Sequence, residues 1–357
     1  MRKFFQTAWW LIKWGVIALI CLEILSFVIV TASIYLLYGQ IREGEGVDYD
    51  PYAIYINHQS NRRTLYNPNP PDKSRHKIIW MFGGSTTRGA TDHDERTIPS
   101  YLSHYLNRVE PYLPAVVINF GVDGFNSLLE TKYLQKELIE NPVPPDVIIF
   151  YDAANDAAYF CQHRTPYGHH GYRRLRALIE SYHRSLWGLL KPLNAAVMAS
   201  FTKELYDKFR HGMVTIDSKS PLLKKFAELN TRRYDYVNKV AKAWGARFYL
   251  VFQPVWYVET CEVPPSLREK EKKVLLLEKF SALRLNHEVT IQALTDRLRG
   301  KPYFVDFQNV LCARQEMVYQ SDGIHLQDAG RQMVARKLAG LLKKDFLPQR
   351  QLSLQPQ

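Results

Sequence analysis

Four polar side chains and one glycine in this sequence are of the types that activate a hydroxyl and steady a developing oxyanion: Ser85, Asn155, Asp322, His325 and Gly121. Ser85 follows Gly83-Gly84 and can present a nucleophilic hydroxyl. An imidazole such as His325 can take the serine proton near neutral pH. Asp322, in the segment Asp322-Gly-Ile-His325, can accept the second ring N–H and hold the useful tautomer. The backbone N–H groups of Ser85 and Gly121 and the Asn155 amide are donors suited to a tetrahedral oxyanion. Each piece alone has a plainer reading: a capping serine, an asparagine that organises a turn, an Asp–His pair that fixes a loop. Their joint placement after successive strands favours acyl transfer over all three. Arg88 either contacts an anionic substrate or caps the serine loop. Gln253, beside Pro254, either lines the pocket or makes a turn.

These residues need a sheet to gather them. Lys77 to Phe82, Val116 to Phe120, Asp146 to Tyr151, Gly245 to Gln253 and Pro302 to Phe307 read as five short strands, with helical periodicity between them. A helix is expected over Thr97–Val109, another from a Ser127/Glu130 capping box to Glu140, a charged helix around Leu267–Leu298 and a closing helix over Asp328–Leu342. Strand, glycine-rich turn, helix and strand in alternation predict an α/β fold, a three-layer α/β/α domain with a mostly parallel sheet. From about 157 to 240 the alternation breaks. That insertion is expected to be helical, either as a lid, as a surface helix touching a membrane, or as ordinary packing on the sheet.

The motifs resemble those of the SGNH, or GDSL-like, hydrolase family over roughly residues 77–340. In that resemblance Ser85 of Gly83-Gly84-Ser85-Thr86 is the nucleophile and an oxyanion donor, and Gly121 of Asn119-Phe-Gly-Val-Asp-Gly124 a second donor. Asn155 of Ala154-Asn-Asp156 is the third donor, and Asp322 and His325 complete the triad. Two positions depart from the family pattern. Gly84 replaces an aspartate, a Gly-Gly-Ser form common among membrane-linked relatives. Ala154 stands for the glycine expected two positions before Asp156. The resemblance implies ester hydrolysis through an acyl-enzyme. It leaves open an O-acyltransferase, such as an O-acetyltransferase modifying a surface polysaccharide, and a catalytically silent glycan-binding or assembly subunit.

Ahead of this domain lies an apolar stretch, 14–39. As a helix it would reach about 39 Å against the roughly 30 Å of a hydrocarbon core, so it is read as one transmembrane helix. Arg2, Lys3 and Lys13 precede it, which predicts a cytoplasmic N terminus and an extracytoplasmic catalytic domain in the cell envelope. Glu23 falls inside the span, where a carboxylate is costly. It marks either an intramembrane protein partner or a protonated, tolerated side chain. The expected organisation is a short segment over 1–13, the span, a juxtamembrane arm over 40–76 without periodic structure, the hydrolase-like domain over 77–345 and a tail over 346–357.

The formal charge is +12, and residues 161–240 hold fifteen Lys/Arg against six Asp/Glu. No zinc-finger spacing, helix-turn-helix or aromatic RNA-binding signature accompanies that excess, so no nucleic-acid partner is expected. An anionic glycan, a lipid headgroup or plain solvation remain. His163, His169 and His170, with Asp152 and Asp156, match no strong metal spacing, and no metal or cofactor is expected. Of four cysteines, Cys261 and Cys312 are the pair to test for a disulfide; the alternative is that they stay reduced.

Overall fold

The computed structural model describes residues 2–38, 46–58, 62–69, 71–89, 93–109, 114–181, 191–275 and 281–346. The chain divides into two compact units, one of residues 1–43 and 171–214, the other of residues 44–170 and 215–357.

In the first unit, α1 runs over Arg2–Tyr38. It therefore includes the segment expected to precede the span, and residue 39 lies outside the described residues. It is long and apolar enough to cross a membrane, with a mean hydropathy of 2.5 in its most apolar stretch. The unit also holds α6 (Tyr172–Ser181), α7 (Lys191–Ala199) and α8 (Phe201–Met213), and α8 packs along α1.

The second unit begins with a hairpin, β1 (Val47–Asp50) and β2 (Ile54–Asn57), where the arm was expected to be irregular. Asp50 Oδ1 builds its turn by accepting from the N–H groups of Tyr52 and Ala53, a local bond that periodicity does not register. A five-stranded parallel sheet follows, in the order β4 (Ala115–Gly121), β3 (Lys77–Gly83), β5 (Val147–Asp152), β6 (Arg247–Phe252), β7 (Phe304–Asp306). Every residue of β5 is buried, and all of β3 after Lys77, because helices cover both faces. α3 (Ile98–His104) packs on β4 and against α12 (Asp328–Phe346). α4 (Ser127–Glu140) packs on β3 and β5, and α9 (Pro221–Ala243) on β6. α11 (Ser281–Leu298) packs on α9 and on α5 (Ala154–His163). Phe82 stacks on Phe120 at 4.9 Å and meets Phe150 at 5.5 Å, so one aromatic row locks three strands in register. On the open edge of β4, Asn67 imitates a strand: its carbonyl accepts from Val117 N–H at 2.9 Å and its amide donates to Val117 C=O at 2.8 Å.

Several expected boundaries shift. The helix expected over Thr97–Val109 is capped by Thr97, ends as α3 at His104, and widens into a π turn over Tyr105–Val109. The charged helix is two, α10 (Pro265–Val274) and α11, with 276–280 outside the described residues. The insertion is shorter than 157–240. α5 and α9 belong to the sheet's own layers, because their apolar faces are buried there, and of this range only 171–214 falls in the other unit, with residues 1–43.

The Ser127/Glu130 capping box does not form. Asn126 precedes α4 without a side-chain cap. The Ser127 hydroxyl instead donates to Asp156 Oδ1 at 2.7 Å, and Glu130 is fully buried. Asp152, Asp156 and Glu130 make a buried acid cluster, eased by donors from Tyr234 and Ser127. Burial, and next the charges of Asp152 and Asp156, push the Glu130 carboxyl well above the usual carboxylate range. A carboxyl raised in the fold stabilises fully below its unfolded pKa, and that contribution is lost as pH rises toward its folded value. Glu130→Gln is therefore expected to gain thermal stability over the parent as pH rises from about 4 to 8, with the gain vanishing at the acid end. Melting curves across that range check it; a pH-independent difference would remove the cluster from this role.

Candidate active site

The strand order reverses direction at β3: β4 lies on one side of it and β5 on the other. Parallel sheets leave a crevice at such a switch point, outside the carboxyl ends of their strands. The chain places Ser85, Asn155 and the Asp322–His325 loop after β3, β5 and β7 respectively.

Ser85 opens the short helix α2 (Ser85–Arg88), with Gly84 before it in extended conformation. The Ser85 hydroxyl lies 2.7 Å from His325 Nε2, across 240 residues of sequence. His325 Nδ1 lies 2.5 Å from Asp322 Oδ2, while Asp322 Oδ1 accepts from the N–H groups of Ile324 and His325 at 2.9 Å each. Serine, imidazole and carboxylate thus form one relay. Burial works against the Asp322 charge, but attraction to His325 and the hydrogen bonds outweigh it and hold the carboxyl below its ordinary range. Its stabilising contribution is present above that range and is withdrawn as pH falls through the lowered value. The His325 side chain is 23% exposed, so the relay is reachable from solvent.

The loop bearing Asp322 and His325 is braced from below. Tyr257 hydroxyl donates to the Asp322 carbonyl, Trp256 N–H to Gly323 C=O at 2.9 Å, and Gln320 N–H to His325 C=O at 2.8 Å. Beneath them the Arg314 guanidinium, with no side-chain exposure, pairs with Glu259 and Glu271. Glu259 also accepts from Tyr319 and Glu271 from Trp256, at 2.9 Å each. The Cys261–Cys312 disulfide closes this region. Fully paired buried charges of this kind are costly to break, because the partner left behind stays desolvated.

The oxyanion side needs one correction. Gly121 N–H donates to Asn119 Oδ1 at 3.0 Å and is buried. A Cβ there would stand 2.4 Å from Arg88 N, so this glycine serves the close approach of β4 to α2. Three residues on, Gly124 is partly exposed with φ +72°. Among the described residues neither its N–H nor that of Ser85 has an acceptor. The next residue, Phe125, accepts from Asn155 Nδ2 at 2.6 Å. Gly124, not Gly121, therefore offers the second backbone donor beside Asn155. Two glycines three apart fit the sequence equally; only the hydrogen bond taken by one separates them.

Gly84 lies close against the asparagine: a Cβ at residue 84 would lie 2.4 Å from Asn155 Nδ2 and 3.2 Å from Phe125 O. The second departure falls one residue earlier than expected. Ala154 is helical, and it is Ala153 that takes φ +108°, ψ −51° to turn the chain from β5 into α5. That conformation costs a non-glycine residue about 1–3 kcal/mol. Ala153→Gly is expected to raise stability by about 1 kcal/mol, the relief of strain exceeding the added chain entropy. Chemical denaturation measures it, and a loss of stability would show that the strain is absent.

Arg88 and Gln253 are not on the surface of the crevice. Arg88 is 1% exposed with Nε 3.9 Å from Asp123, and Gln253 is 4% exposed with Oε1 accepting from the Thr86 hydroxyl at 2.8 Å. Both order the turns around Ser85, and the local motif could not tell a lining side chain from one turned beneath the loop. His163, His169 and His170 do not gather with Asp152 and Asp156 as a metal cluster among the described residues.

Among solved structures, the chain is similar to TesA (14% identity, TM-score 0.39), covering 76% of this chain and 100% of that one. It is also similar to a putative lipolytic G-D-S-L protein from Desulfitobacterium hafniense (10%, 0.41, covering 74% and 99%) and to the acetyl xylan esterase AlAXEase (13%, 0.38, covering 76% and 100%). A search of curated proteins gave no match. The model of the GDSL-like lipase/acylhydrolase family matches residues 79–338, the stretch that carries the serine, the asparagine and the Asp–His loop; the chain belongs to that family of ester hydrolases.

Proposed function

We propose that the protein is a membrane-tethered serine esterase that removes acyl groups, acetyl foremost, from a carbohydrate polymer of the cell envelope. The observation that carries the chemistry is the 2.7 Å contact between the Ser85 hydroxyl and His325 Nε2, with Asp322 behind the ring. In this reading Ser85 attacks the ester carbonyl as its proton passes to His325. The oxyanion is met by the N–H groups of Ser85 and Gly124 and by Asn155 Nδ2, which exchanges its bond to Phe125 O for the new charge. His325 then protonates the leaving alcohol and activates water to free the serine.

Support for a sugar comes from the flank of Asn155. One turn along α5, Tyr159 stacks on His163 at 6.2 Å and meets His170 edge-on at 6.4 Å, an aromatic flank of the kind that packs on apolar ring faces. Tethering through α1 would hold the site at an envelope surface. The experiment is intact-protein mass spectrometry after exposure to activated acetyl esters, with Ser85→Ala alongside and sugar acceptors in a second arm. A Ser85-dependent adduct of one acetyl group that discharges to water supports the esterase; discharge to the sugar supports acyl transfer. A folded protein that never becomes acylated sinks both and leaves a glycan-binding role.

A further inference from the structure

A carboxylate on an apolar helix must find donors, and Glu23 finds three within its own chain. Its Oε1 accepts from Phe201 N–H at 2.6 Å, and its Oε2 from Thr202 N–H at 3.0 Å and the Thr202 hydroxyl at 2.7 Å. The two backbone groups belong to the first turn of α8, where N–H groups lack helical partners and the helix dipole favours a negative charge. A side chain of α1 thus caps α8 from outside. Ser26 meets the Thr202 hydroxyl at 3.2 Å, and the rings of Phe27 and Phe201 pack edge-on at 5.0 Å. Ser26 and Val30, four residues apart and each 2% exposed, continue the covered stripe. The demand that suggested an intramembrane protein partner is met in cis.

The acidic groups of α8 are paired within the same unit, Asp207 under cover and Glu204 nearer the surface. Asp207 pairs with Arg173 and Lys203, and Glu204 with Arg174 and Lys208. Large apolar groups stand outside beside basic ones: Leu178, Ile179, Leu193, Val197, Tyr206 and Phe209 are 49–66% exposed, and Arg174, Arg176, Lys208 and Arg210 are exposed on the same helices. Exposed large apolar groups interleaved with basic side chains make the composition of an interfacial helical layer. The described part of 171–214 carries seven Lys/Arg against three Asp/Glu, the sign that attracts anionic headgroups. Helix α1, at 37 residues, would extend about 55 Å, well beyond a hydrocarbon core; the stretch flanked by α8 begins at Glu23, about 30 Å from the start of the helix, so an interfacial α8 puts the core on α1 ahead of Glu23 and not over 14–39.

We propose that α6, α7 and α8 lie in the membrane interface against α1, their six apolar side chains at the acyl boundary of an anionic lipid surface, with Glu23 as the clasp that seats α8. The inference rests on α1 spanning the bilayer.

The test uses the full chain in vesicles of phosphatidylcholine with one-third phosphatidylglycerol. Nitroxides are placed singly at Leu19, Ile179, Phe209 and Trp244, with Cys21 and Cys161 replaced by serine. Accessibility to oxygen, which partitions into lipid, is compared with accessibility to a water-soluble nickel chelate. The expected result is an oxygen-to-chelate ratio about tenfold higher at Leu19, Ile179 and Phe209 than at Trp244, falling toward the Trp244 value at Phe209 in Glu23→Ala. Chelate-favoured signals at Ile179 and Phe209 with Leu19 in lipid would overturn the interface while leaving the span. A chelate-favoured Leu19 would overturn the span and this inference with it. Retained lipid contact of Phe209 in Glu23→Ala would overturn the clasp.

Discussion

Ser85→Ala is expected to lower kcat on an acetyl ester by on the order of 10⁶-fold, with His325→Ala costing about as much and the double variant little more. The two groups act in one step: with the hydroxyl gone there is no proton for the imidazole to take, and without the imidazole the hydroxyl stays a poor nucleophile. Their 2.7 Å separation is what makes the losses non-additive. A residue of roughly 10³–10⁴ over water would remain from the oxyanion donors and substrate binding. Turnover of a chromogenic acetyl ester by the three variants provides the measurement. A Ser85→Ala loss below about a hundredfold, or losses that multiply in the double variant, would place the nucleophile elsewhere.

Asp322→Asn should cost on the order of 10⁴ in kcat with the fold intact. The substituted amide would keep an oxygen for the Ile324 and His325 N–H groups, so the loop geometry survives. Toward the ring it would present an N–H where Asp322 Oδ2 now accepts. The imidazole would then carry its proton on Nε2, facing Ser85 with a donor where a base is needed. Nitrogen chemical shifts of His325 report that tautomer directly. A variant with the Nε2–H tautomer and near-parental kcat would show that His325 is not the base.

The sheet and the relay were legible in the sequence because both follow from local rules. Apolar runs of strand length ended at glycine or a polar turn residue, and every such end in a parallel sheet opens toward one crevice. Ser85, Asn155, Asp322 and His325 needed no more than that. What local rules missed depended on partners far along the chain. Gly121 and Gly124 are equivalent until Asn119 claims one N–H. Ser127 and Glu130 spell a capping box, yet Asp156, 29 residues on, takes the serine. Strain sits at Ala153 and not Ala154 because only backbone geometry says which residue makes the corner. Arg88 and Gln253 read equally as lining or as turn-making residues until burial places them under the loop. Glu23 looked orphaned in its helix, and its donors lie 178 and 179 residues away.

The bridge between Cys261 and Cys312 spans 51 residues and fastens the two stretches that support the histidine loop. By loop-closure entropy it would add about 4 kcal/mol to the folded state, a sum comparable to much of a domain's net stability. Thiols pair lastingly only in oxidising surroundings. The hydrolase would thus be weakest, while still inside a reducing cytosol, at the very brace its base depends on. On the proposed reading of a domain outside the cytosol, oxidation of this pair would complete the brace only after export, so maturation and delivery would be one event.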